Sequence, residues 1–175
     1  MSLKQPIVYA VQHKDEKVRA ESRSGGVFTA ISDQVLANNG VVYGCILTED
    51  FQAVHVRAEN TEERNKMRGS KYVQSIIGDT YKQVRDFLKA DRKVLFSGTP
   101  CQIAGLRLFL RKDYDNLYTV DFICHGVPSP GVFRWYLQEE INNYAARQSS
   151  EKIQFCSSPI HSIPKGDVLL PEGVS

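Results

Sequence analysis

No stretch of the 175-residue sequence approaches 18 consecutive apolar residues, and the start, Met1-Ser2-Leu3-Lys4-Gln5-Pro6, has no hydrophobic core. A membrane-spanning helix and a secretory signal are therefore not expected, and the chain reads as cytoplasmic. Charge of one sign is also scarce. Lys and Arg number 22 against 20 Asp and Glu, a formal charge of +2, which gives no electrostatic reason for a nucleic-acid partner. Cysteine is sparse and scattered: Cys45, Cys101, Cys124 and Cys156 form no Cys-x-x-Cys pair. That excludes the disulfide framework of a small secreted protein and a local zinc ribbon or ferredoxin-type run, so any metal site has to be assembled by the fold. Internal repeats and low-complexity tracts are absent as well.

What remains, 42% hydrophobic and 24% charged residues, is the composition of one globular domain. Ile7 to Val11 reads as a first short strand, followed by a charged loop from His13 to Lys17. Ser24 is a candidate cap for a helix with Gly25 and Gly26 in its first turn and Val27, Ile31 and Val35 on one face. Asn38-Asn39-Gly40 supplies a left-handed stop. Val41–Leu47 and Ala53–Arg57 suggest a hairpin, with Val54 and Val56 alternating against His55 and Arg57. Asn60-Thr61-Glu62-Glu63 resembles a capping box for a short helix that stops at Gly69, and Tyr81, Val84, Phe87 and Leu88 mark another helix.

Val94-Leu95-Phe96 then reads as a strand, Ser97 to Pro100 as a tight turn, Cys101 to Leu110 as a helix and Leu117 to Ile123 as a second strand. This βαβ unit, at about residues 93–124, makes its two strands parallel. Ser129 and Pro130 open a last helix carrying Phe133, Tyr136, Leu137, Ile141 and Tyr144. The fold class expected is α/β, with a mixed, largely parallel sheet and flanking helices. Residues 1–147 form the domain, and residues 148–175 an irregular or truncated segment that includes a strand candidate at Lys152–Phe155.

Cys101 falls in a helix first turn, where free amides and the helix dipole favour a thiolate. Cys124 follows the next parallel strand, so both sulfurs are expected at the carboxyl edge of the sheet, where open α/β proteins bind ligands. Buried structural thiols are the alternative for this pair, and plain packing is the expectation for Cys45 and Cys156. Ser22-Arg23-Ser24-Gly25-Gly26 offers hydroxyls, an Arg and amides for an anion, or else a packed helix start. Arg68-Gly69-Ser70-Lys71-Tyr72 is a second cationic turn whose Tyr72 can stack on a ring, with a solvated loop as its alternative. His125 is a candidate proton donor or a backbone-bonded histidine.

At Ser24 to Phe28, Arg68 to Ser75, Phe96 to Leu106 and Asp121 to Pro130, in that order, the chain closely resembles the coenzyme F420 hydrogenase/dehydrogenase beta-subunit family. The likeness runs from about residue 7 to 145. It implies an oxidoreductase module that passes electrons between iron–sulfur centres and FAD, and in some members onward to coenzyme F420, with a ferredoxin-like or other iron–sulfur partner. Carried over by position, Cys101 and Cys124 would ligate a 4Fe-4S cluster. Ser24, Gly25, Gly26, Arg68, Gly69, Ser70, Lys71, Tyr72 and Gln74 would line the flavin site. Such relatives carry an upstream ferredoxin-like region and a further C-terminal half with a Cys-x-x-Cys, neither of which stands in this sequence, so the module is expected to be incomplete as presented. The alternatives are a non-catalytic fragment or nucleotide-binding module, and a thiol enzyme using Cys101 as nucleophile.

Overall fold

A computed structural model describes residues 6–147. The elements run α1 (Glu16–Ser22), α2 (Val27–Ala37), β1 (Val41–Leu47), β2 (Ala53–Ala58), α3 (Thr61–Asn65), α4 (Thr80–Lys89), β3 (Val94–Ser97), α5 (Pro100–Leu110), β4 (Leu117–Val120) and α6 (Pro130–Arg147). The four strands form one sheet in the order β2-β1-β3-β4. β1 and β2 are an antiparallel hairpin, whereas β1, β3 and β4 are mutually parallel. The mixed, largely parallel sheet with flanking helices expected from the sequence is what forms, including the β3–α5–β4 unit.

Side chains alternate across a strand, and each face of this sheet is covered. Val41, Tyr43, Val94 and Phe96 point to one side, where Val84 and Leu88 of α4 and Ile103, Leu106 and Leu110 of α5 pack on them. Val42, Leu95 and Ala58 point to the other, against Val35, Met67 and the half-buried Phe28 and Ile31. Burial of the Tyr43 phenol pushes its pKa up to about 12. Arg64, in α3, is buried too: it donates to the Thr29 carbonyl at 2.9 Å, to Ser32 Oγ at 2.6 Å and to Asp33 Oδ1 at 2.7 Å, pinning α3 to α2.

Several expectations are corrected. Ile7 to Val11 is no strand: residues 6–13 have no regular structure, and Ile7, Val8, Tyr9 and Val11 stand exposed. The free side of β2 is already engaged, by a bridge between Val54 and Ile76, which leaves an N-terminal strand no partner there. The charged stretch expected as a loop runs into α1, because Asp15 accepts the Lys17 amide at 2.8 Å and so caps it. α2 begins at Val27 with Gly26 at its N-cap, so Ser24 is not the cap. Gly26 has φ 75°, and a Cβ there would lie 2.9 Å from His13 Cβ. β4 ends at Val120, short of Ile123, and residues 121–129 run without regular structure to α6.

The strand candidate at Lys152–Phe155 and Cys156 lie outside the described residues. On α6, Phe133 and Leu137 are half-buried while Val132, Trp135, Tyr136, Ile141 and Tyr144 are exposed.

The α2–β1 turn is the tightest packing point. A Cβ on Gly40 would stand 2.5 Å from Val35 Cγ1, 2.6 Å from the Val35 carbonyl and 2.8 Å from the Lys93 carbonyl. Two of those neighbours are backbone and cannot swing away. Gly40→Ala is therefore expected to destabilise the fold by about 2 kcal/mol, within the range for overpacking, measured by urea unfolding; stability unchanged from the parent would contradict the crowding.

Candidate functional site

Because β1, β3 and β4 are parallel, their carboxyl ends share one edge of the sheet, and the start of β2 joins them there. A cleft of about 650 Å³ opens at that edge, lined by Gly44 and Cys45 of β1, His55 of β2, Ser97 to Thr99 from the last residue of β3 onward and Val120 to Val127 from the last residue of β4 onward. Ser22, Arg23, Ser24 and Gly26 line it from the α1–α2 turn, and residues 67–75 from the segment after α3. Two segments distant in sequence thus reach the same space. Of the expected site residues, Ser24, Gly26, Arg68, Gly69, Ser70, Lys71, Tyr72, Gln74, Cys124 and His125 all line this cleft. Gly25 does not line it; its carbonyl accepts the His13 amide at 2.7 Å.

The cysteines are placed differently from one another. Cys101 is exposed in the first turn of α5, with its Sγ 3.1 Å from Thr99 Oγ1, and is outside the cleft lining. Cys124 is half-buried four residues beyond β4, with the Gly126 amide 3.4 Å from its sulfur. Among the described residues, no three His, Cys, Asp or Glu side chains are grouped to hold a metal ion.

The cationic wall is largely occupied. Lys71 donates to the carbonyls of Met67 at 2.8 Å, Arg68 at 3.0 Å and Gly69 at 3.1 Å, which matches its three N–H bonds. Burial lowers its pKa. It braces the loop and lends the cleft charge. Arg68 pairs with Glu21 and donates from Nε to Thr29 Oγ1 at 3.2 Å. Arg23, left-handed at φ 52° at the end of α1, is exposed in the cleft with no ion pair among the described residues.

Three floor residues escape the sequence reading. Cys45, expected to be plain packing in a strand, is half-buried and lines the cleft; burial pushes its thiol pKa up while the nearby Lys71 charge pulls it back. His55 is buried and stacks on Phe96, with ring centroids 5.3 Å apart and 11° between planes. The alternation that places Val54 and Val56 inward and His55 outward fails because both faces of β2 are covered. Ser75, which bonds His55 at 2.9 Å, lies at the end of the Arg68 to Ser75 motif, and nothing in the spacing marks it out.

In outline this is an open α/β protein with a cleft outside the carboxyl ends of the strands, the edge where such folds bind ligands. Two family models match the sequence, both for the beta subunit of coenzyme F420 hydrogenase/dehydrogenase: the N-terminal one over residues 8–79 and the C-terminal one over residues 91–156. The chain belongs to the coenzyme F420 hydrogenase/dehydrogenase beta-subunit family. Among solved structures, a chain of the F420-reducing NiFe hydrogenase complex from Methanosarcina barkeri, studied by xenon derivatization, is similar at a TM-score of 0.57 and 20% identity, over 75% of this chain and 48% of that one. That likeness concerns the fold, and the present chain spans about half the length of that relative. A comparison with curated proteins gives no match.

Burial lowers the His55 pKa below its ordinary 6.5, so the folded state holds this ring neutral where the unfolded chain takes up a proton. His55 therefore subtracts nothing from stability above pH 6.5, and stability falls as the pH drops from there towards the folded value. The slope from this one group cannot exceed about 1.4 kcal/mol per pH unit, and it flattens in His55→Gln. Urea titrations at pH 7, 6 and 5 check this; parallel lines for the two proteins would contradict it.

Proposed function

We propose that this chain is the flavin-binding part of an electron-transfer oxidoreductase, with FAD held in the carboxyl-edge cleft. The observation that carries the reading is the joining, in one cleft, of the α1–α2 turn, the segment after α3 and the Cys124–Val127 loop. A volume of about 650 Å³ lies within the range of small-molecule and cofactor sites, and the lining mixes apolar Phe28, Val73 and Phe122 with polar groups. The residues fit an elongated, anionic, aromatic group. When bound, a flavin supplies the junction between one- and two-electron transfer.

The chain's own residues divide the work. Arg23, with Ser22 and Ser24, meets phosphate charge at one end. Lys71 and Arg68 add positive potential from a braced loop. Gly69, at φ 78° with open space where a Cβ would be, keeps the wall thin. Tyr72, exposed on that loop, stacks on a ring, and Gln74 is held in place by its backbone N–H, which donates to the Pro128 carbonyl at 3.1 Å. His125, exposed in the cleft, is the proton donor of this reading.

Cys101 and Cys124, following the carboxyl ends of neighbouring parallel strands, are assigned as two thiolate ligands of a 4Fe-4S cluster. The described residues do not build such a site unaided, since among them no three His, Cys, Asp or Glu side chains are grouped. The remaining ligands and the electron donor, a ferredoxin-like or other iron–sulfur protein, then come from outside the described residues. Coenzyme F420 as acceptor rests on the family alone. The reading puts the protein in the cytoplasm; among the described residues no helix is long and apolar enough to cross a membrane.

One observation favours a second reading, a nucleotide-binding module without a cluster: among the described residues no three metal donors are grouped. Titration with FAD, FMN and nucleoside phosphates, followed by anaerobic reconstitution with iron and sulfide, separates the two. FAD is expected to bind, and Arg23→Ala to weaken it about tenfold, the cost of a hydrogen bond to a charged group. Folded protein that binds no flavin would overturn the reading. FAD binding with no iron retained would leave the second reading in its place. Where iron is retained, Cys101→Ser and Cys124→Ser are each expected to lose it.

A further inference from the structure

Three cleft-lining segments meet at Ser75: strand β2 at His55, the wall formed by residues 67–75, and the Ser97–Thr99 turn that leaves β3. The wall joins the sheet at its end, where Ile76 bridges Val54, donates its amide to the Ala53 carbonyl and accepts the His55 amide, each at 2.9 Å. That attachment is to β2. In the sheet β1 stands between β2 and β3, so no backbone ladder ties the wall to the turn. Side chains make that connection instead.

They do so in a hydrogen-bond circuit whose direction is fixed at every link. A carbonyl only accepts, so the Ser97 oxygen, 3.0 Å from His55 Nε2, requires the proton on Nε2. Nδ1 of the neutral ring is then bare and accepts from the Ser75 hydroxyl at 2.9 Å. Having spent its proton, Ser75 Oγ accepts from Gln102 Nε2 at 2.8 Å, and Gln102 Oε1 accepts the Thr99 amide at 3.0 Å. The circuit leaves the backbone at Thr99 and returns to it at Ser97, closing around Gly98. A Cβ on Gly98 would lie 2.9 Å from Gln102 Oε1 and 3.2 Å from Phe96 Cε1, so glycine is what admits the Gln102 side chain. The His55 ring also lies flat on Phe96, and the Gln102 carbonyl accepts the Tyr81 hydroxyl at 2.8 Å. His55 and Gln102 are buried, where an unmatched donor or acceptor is expensive.

We propose that His55 is a positioning residue for the flavin site: through Ser75 and Gln102 it clasps the wall carrying Arg68, Lys71, Tyr72 and Gln74 to the Ser97–Thr99 turn, setting the width of the cleft before a ligand enters. For the identity of the ligand this rests on the flavin reading; beyond that reading, it assigns the shape of the site to three side chains whose polar atoms are spent on one another. A cleft already in shape binds without the cost of ordering a loop.

The test uses the full chain at pH 8, above the ordinary histidine range. FAD affinity is titrated, and amide hydrogen exchange of residues 70–75 is followed without ligand. Ser75→Ala leaves the ring and its stacking in place. It is expected to quicken that exchange and to weaken FAD about three- to tenfold, the equivalent of one hydrogen bond. His55→Asn keeps an acceptor near the Nδ1 position for Ser75 and is expected to hold FAD more tightly than His55→Gln, whose amide reaches the Nε2 position and serves Ser97 instead. A residue needed only for packing would not separate these two. Histidine-selective nitrogen NMR is expected to find the Nε2–H tautomer at His55 in the parent protein. Parent-like affinity or parent-like exchange in Ser75→Ala, equal affinity in the two His55 variants, or an Nδ1–H tautomer would each overturn the proposal and leave the flavin reading standing. Folded parent protein that binds no FAD would overturn both.

Discussion

The arrangement depends on parallel pairing of β1, β3 and β4. Parallel strands align their carboxyl ends, so the segments that leave them emerge at one edge however far apart they lie in sequence. β1 delivers Gly44 and Cys45, β3 delivers the Ser97–Thr99 turn, and β4 delivers the loop with Cys124 and His125. The antiparallel β2 adds His55 from its opposite end. Reverse one crossover and the loops would separate by the length of the sheet. The hydrophobic layers on both faces, α4 and α5 on one and α2 on the other, hold that geometry and leave the edge open.

Two kinds of polar burial support the edge. Around α3, Arg64 spends two nitrogens on Thr29, Ser32 and Asp33, while its Nε is buried with no partner among the described residues. The imperfection is offset by the neighbouring bonds, and burial also bears on its pKa, lowering it from the usual arginine range. On the cleft floor, by contrast, each bond from Thr99 through Gln102, Ser75 and His55 to Ser97 has both a donor and an acceptor. A network satisfied in this way specifies one conformation, whereas a partly satisfied one invites several.

Much of this is legible in the sequence. The β3–α5–β4 unit stands out because Gly98, Pro100 and the apolar spacing of α5 are local signals, and local signals survive folding. The two glycine-containing segments are recognisable as ligand-type turns and do meet in one cleft. What the sequence hides are the consequences of long-range covering. Ile7 to Val11 has the composition of a strand, but the edge of β2 is already bridged by Ile76 and the segment pairs with none of the four strands. His55 looks solvent-facing because alternation assumes one wet face, and β2 has none. Ser75 and Gln102 are ordinary residues until the fold sets them beside a buried imidazole, and no spacing rule links positions 55, 75 and 102. Cys45 is a strand residue, as its apolar neighbours imply, yet it does more than pack, since the end of β1 opens onto the cleft.

The single polarity of the Thr99-to-Ser97 circuit has a consequence for its tolerance to change. Removing any one link strands the next, so the first substitution carries nearly the whole energetic penalty and a second adds little. Positions 55, 75 and 102 therefore behave as one mutational unit, strongly coupled although distant along the chain.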